Sequence, residues 1–137
     1  MVYFSHRVSR WQAPNNRKPR TNGVTMTALL ITPEADFVQL DLPADSKIQQ
    51  AVKRAVMRCD RYDVVALTNT LDMWIDDEGL YNHPVNKVAT AFAARFGFIW
   101  QNYHGPVLLT GGADVDGGTV PLTKDQVLAF LATLGEG

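Results

Sequence analysis

Two short apolar runs separated by four turn-forming residues constrain this chain more than any other stretch. Thr27-Ala-Leu-Leu-Ile-Thr32 is built of strand formers, Pro33-Glu-Ala-Asp36 is a turn, and Phe37-Val-Gln-Leu-Asp-Leu42 alternates apolar with polar. Residues two apart share one face of a pleated strand, so the second run has one side to bury and one to hydrate. The spacing predicts a β-hairpin.

The remaining chain reads as further strands and helices in alternation. Asp45 or Ser46 caps a helix on which Ile48, Ala51, Val52, Ala55, Val56 and Cys59 form a stripe at helical spacing. That stripe is the expected buried face, with Lys47, Lys53, Arg54 and Arg58 as solvated surface. Val64–Thr68 and Leu71–Asp76, joined by Asn69-Thr70, predict a second strand pair. Leu71, Met73 and Ile75 fall on one face of the later strand, with Asp72, Trp74 and Asp76 on the other. A helix is expected over Val85–Phe96, stopped by Gly97. Pro106–Thr110 reads as a strand, Gly111–Gly118 as a glycine-rich turn, and Thr123 with Gln126 as a capping box opening a last helix to Leu134.

The resulting order, β-β-α-β-β-α-β-α, predicts an α+β domain: a mostly antiparallel sheet of about five strands covered by three helices. A length of 137 residues fits one domain. The chain divides into a basic extension, residues 1–25, and a single α+β domain, residues 26–137. The lone cysteine, Cys59, excludes an internal disulfide and fits a reducing compartment. No run approaches the ~20 apolar residues of a membrane span, and the N-terminus lacks the apolar core of a signal peptide. A cytoplasmic protein is expected.

Charge is unevenly placed. Arg7, Arg10, Arg17, Lys18 and Arg20 lie in the extension, which has no acid, whereas all 14 acids follow Met26 with eight Lys and Arg. Such asymmetry is one mark of a basic arm for nucleic acid or a membrane surface; an extension that packs on the body, or a start at Met26, is the preferred explanation.

The candidate chemistry is sparse. Asp76-Asp77-Glu78 closes a predicted strand; grouped carboxylates there suit a hard cation or an acid–base pair, but a structural or solvated strand end is the favoured reading. Asp114-Val-Asp116-Gly117-Gly118 lacks the third acid and terminal Glu of a calcium loop, so a tight turn explains it better. Gly111-Gly112 is followed by no Lys-Ser/Thr, which excludes the usual phosphate loop. His6, His83 and His104 are scattered, and no serine sits in a nucleophile elbow. No catalytic residue, metal ligand set or cofactor is assigned. Trp74, Tyr81, Trp100 and Tyr103 are the interface candidates; Trp74 is an anchor if its face is open and core if a helix covers it.

Three stretches taken together, Thr27–Pro43, Met73–Thr90 and Gly105–Gly111, resemble a family of small domains from actinobacterial phages and mobile elements, domain of unknown function 3846. The matching positions are Asp77, Glu78, Gly79, Pro84, Asn86, Ala89, Thr90, Gly105 and Gly111. The resemblance implies a phage-like origin and a host-cytoplasm setting, and it carries no catalytic residue. Two function classes stay open: a non-enzymatic module binding a host or phage protein, with a homodimer as one form, and a small-ligand pocket, nucleotide-like or a metal-dependent hydrolase, around Asp76, Asp77, Glu78, Asn86 and Thr90. Nucleic-acid binding through the extension is a third.

Overall fold

The computed structural model describes residues 25–136. The five arginines and lysines of the extension lie outside the described residues, and so does the reading of them as a nucleic-acid arm.

The first hairpin forms as the sequence predicts. β1 (Thr25–Ile31) pairs antiparallel with β2 (Phe37–Pro43), in register from Thr25 opposite Pro43 to Ile31 opposite Phe37. The turn is held by Ala35 N–H donating to the Thr32 carbonyl at 2.9 Å and by Asp36 N–H donating to Thr32 Oγ1 at 3.0 Å. β3 (Tyr62–Thr68) and β4 (Leu71–Asp76) form the second antiparallel pair, with a register irregularity between Ala66 and Thr68. β5 (Val107–Thr110) then inserts between β1 and β4, both contacts antiparallel, giving the order β2-β1-β5-β4-β3. All four β5 residues are buried, as a short apolar run without alternation requires when both of its faces are covered.

The sheet carries helices on both faces. α1 (Ser46–Met57) covers one side, packing over Ala28, Leu30, Leu40, Leu42 and Leu108. α3 (Lys87–Ala94) and α4 (Lys124–Glu136) cover the other, over Leu29, Ile31, Met73, Val107 and Leu109. Successive β4 residues part as the pleat demands, Met73 and Ile75 toward α3 and α4, Trp74 toward α1.

The α+β class stands, with three differences of detail. A fourth, short helix, α2 (Gly79–Asn82), lies in the segment expected to be a turn. Val85 does not open the helix after it; it pairs with His104 in an isolated bridge, and α3 begins only after Asn86, whose side-chain oxygen accepts from Ala89 N–H at 3.0 Å. The residue before the first helical turn is where Asn performs that role.

The third difference is the seating of α1. Its expected buried stripe is rotated: Ile48 is 55 % exposed and Ala51 and Ala55 are exposed, while Gln49, Lys53 and Met57 are buried and Val52 and Val56 half-buried. The cause lies in tertiary partners that a hydrophobic pattern cannot register. Gln49 Nε2 donates to the Pro43 carbonyl at the end of β2 at 3.0 Å, and the Lys53 side chain lies across Trp74. Lys53 is therefore not the solvated surface residue its position suggests.

Candidate functional site

β4 ends in a buried carboxylate. Asp76 Oδ1 accepts from Glu78 N–H at 2.8 Å, which turns the chain into α2. Its Oδ2 accepts from Asn82 Nδ2 at 3.4 Å and lies 3.1 Å from His83 Nε2. His83 Nε2 also lies 3.2 Å from the Arg58 carbonyl. Both neighbours of that nitrogen are acceptors, so it carries the proton.

The segment 101–105 faces this turn. His104 Nδ1 lies 3.1 Å from the His83 carbonyl, to which it donates; in a neutral ring that leaves Nε2 as an acceptor with no partner among the described residues. Two glycines allow the approach. A Cβ on Gly79 would stand 2.8 Å from the His104 carbonyl, and one on Gly105, whose φ is +83°, would strike the His83 ring at 2.7 Å.

Between these walls lies an open cleft of about 360 Å³, lined by Ile75, Asp76, Asp77, Gly79, Leu80 and residues 101–104. That volume is at the small end for ligand sites. Leu80, 66 % exposed, lines the cleft, and three further exposed apolar residues adjoin lining residues in the chain: Tyr81 after Leu80, 84 % exposed, and Ile99 and Trp100 before Gln101, 68 % and 76 % exposed.

The five polar residues singled out from the sequence divide. Asp76 and Asp77 line the cleft. Asp77 Oδ2 accepts from Arg61 Nη2 at 2.8 Å, with Glu78 a looser partner of the same guanidinium at 3.9 Å. Asn86 stands behind the wall, fully buried. Its Nδ2 donates to the carbonyls of Ile31 at 3.0 Å and Gly105 at 2.9 Å, while its Oδ1 caps α3. Thr90 Oγ1 accepts from Tyr103 N–H at 2.9 Å. Asn86 and Thr90 thus hold segment 103–105 in place, and the protein itself engages their polar atoms. The four aromatic candidates divide as well. Tyr81 and Trp100 face solvent, Tyr103 is buried, and Trp74 is half-buried with its Nε1–H donated to Thr110 Oγ1 at 2.9 Å.

Among the described residues no group of three or more His, Cys, Asp and Glu side chains is placed to hold a metal ion. The Asp114 loop closes on itself, its Oδ1 accepting from the N–H groups of Asp116 and Gly118. No described helix is long and apolar enough to cross a membrane.

The family described as domain of unknown function (DUF3846) matches residues 26–135. The chain belongs to this family. No curated protein and no solved structure matches the chain. The family domain thus spans β2 to β5, all of β1 but Thr25 and nearly all of α4, and the cleft lies wholly inside it.

A second polar cluster, unannounced by any motif, lies under α1 of the family domain. Lys53 is 2 % exposed; its Nζ is 3.5 Å from the Trp74 ring centroid, 5.6 Å from that of Tyr62, and donates to Thr119 Oγ1 at 3.2 Å. Burial pushes the ammonium from 10.5 down to about 8, with the Asp72 carboxylate pulling the other way. Asp72, itself buried, is raised by desolvation, and Lys53 opposes that shift. The sequence held no signal for this pair, because a lysine at one helix position and an aspartate on a strand say nothing of each other.

Proposed function

We propose that the domain is a non-enzymatic binding module, and that the cleft between α2 and segment 99–104 receives a protein segment carrying an apolar side chain beside a basic one. The observation that carries this reading is the placement of exposed Leu80, Tyr81, Ile99 and Trp100 on the two segments that border carboxylates. Tyr and Trp are the side chains most often found at the energetic centre of an interface. Exposed apolar groups gathered around a concavity mark contact surfaces more often than isolated ones do.

Charge selects the partner. The chain from Met26 onward has 14 acids against eight Lys and Arg, which favours a basic segment and disfavours a second copy of the same acidic body. The same carboxylates oppose a phosphate-bearing ligand unless a metal intervenes. The phage or mobile-element origin and host-cytoplasm setting belong to this proposal on the strength of the resemblance in Thr27–Pro43, Met73–Thr90 and Gly105–Gly111.

The test is selection from a random peptide library on the full chain, followed by titration of the enriched peptides. Enriched sequences are expected to combine an aromatic or aliphatic residue with Arg or Lys. Their affinity is expected to fall about tenfold or more with Trp100→Ala, as central interface aromatics do, and to weaken in salt with Asp77→Asn. Enriched peptides indifferent to Trp100→Ala and Tyr81→Ala would overturn the reading; salt-insensitive ones would remove its charge component.

A further inference from the structure

Lys53 is a buried cation with little to hold it. An ammonium has three N–H donors, and among the described residues only one finds a hydrogen-bond acceptor, Thr119 Oγ1. Neither an ion pair nor a hydrogen bond joins Lys53 to Asp72; the Trp74 ring supplies the nearest favourable electrostatics. Yet this one side chain ties three elements together: α1, β4 through Trp74, and the 111–120 connection through Thr119.

We infer that the seating of α1 and the 111–120 connection over Trp74 is a proton-controlled latch, opening more readily while Lys53 carries its proton and closing when the proton leaves. A charged amine released into water regains its hydration shell, whereas a neutral one loses little by staying buried. The lowered ammonium agrees in sign. A solvated lysine near 10.5 and a seated one near 8 mean that the open form binds more protons between those values, so raising pH through that window favours closure.

The groups around Lys53 come from β4, β3, β5, the connection and α1 itself. From β4 comes Asp72, whose carboxyl is raised by desolvation and drawn back down by Lys53. From β3 comes Tyr62, pushed up from 10.0. Thr110 of β5 and Thr119 of the connection are neutral, and of the connection's two carboxylates, Asp114 and Asp116, the former is bonded to the Asp116 and Gly118 N–H groups. On α1 itself Gln49 and Met57 lie one turn away and are uncharged, and Arg54 is the next residue along the chain. Cys59, beyond the helix end, is raised to about 11.

Hydrogen exchange on the full chain, corrected for intrinsic rates, reads the latch directly. The informative amides are Gly111 and Val120, bonded across the connection, with Ala89 and Thr90 on the opposite face as the control. The opening constant at Gly111 and Val120 is expected to fall about tenfold from pH 7.5 to 9, with no matching change at the control amides. Lys53→Met is expected to hold those amides closed at every pH. Lys53→Arg, which stays charged, is expected to keep them at the open-prone level without pH dependence. A flat profile in the wild-type chain, an equal change at Ala89 and Thr90, or pH dependence retained in either variant overturns the inference. If Lys53→Met fails to fold, the Lys53→Arg profile decides alone.

Discussion

Asn86 and Lys53 lie under opposite layers of helices, both nearly inaccessible to water, and the protein treats them in opposite ways. Asn86 spends its amide on two backbone carbonyls and its oxygen on the first turn of α3, joining β1, α3 and the cleft wall at one point. Lys53 satisfies one donor and leans on an indole. A fully satisfied buried polar group fixes geometry, whereas an under-satisfied charge stores a tendency to reach water. The cleft therefore stands on a rigid base, and the face under α1 holds the domain's capacity to open.

The largest effect that would break this contrast is at Asn86. Asn86→Ala removes a cap and strips two buried carbonyls of a donor, so it is expected to cost about 4 kcal/mol in urea unfolding at pH 7. Asp45 supplies the sharper control. It caps α1 with the same geometry, its side chain accepting from Ile48 N–H at 3.0 Å, but it is exposed. Asp45→Ala is expected to cost about 1 kcal/mol, and equal costs at the two positions would show that burial adds nothing to the Asn86 bonds. The smallest effect belongs to the cleft rim. Tyr81→Ala and Trp100→Ala are each expected to change stability by less than about 0.5 kcal/mol, so that a larger change in melting would mark these side chains as packed rather than presented.

Reading the chain residue by residue recovered most of the scaffold. The hairpin of β1 and β2 was legible because turn residues and alternation agree over a short distance. The helix that became α3 was legible as a helix but was begun too early, at Val85, because its apolar stripe starts there; the reach of Asn86 to Ile31 and Gly105 came only from the folded chain. The two ends of the polar segment Asp76–Thr90 looked like one cluster in sequence. In space Asp76 and Asp77 turn to the cleft while Asn86 and Thr90 brace its back wall. His104 and its neighbours entered the cleft from a connection that carries no periodic signal. α1 was misjudged by a rotation, because its seating follows the Gln49 bond to Pro43 and the stem of Lys53, and polar side chains that bury do not register in a hydrophobic stripe.

Local chemistry alone determined the five strands and three longer helices, their order, the α+β class and the family, since strand alternation, helix caps and turn residues act between near neighbours in the chain. Tertiary packing decided that β5 lies between two hairpins, that two distant segments enclose a cleft, and that a lysine is buried against an indole. Each of those depends on groups far apart in sequence competing for the same few contacts, and only the folded chain resolves that competition.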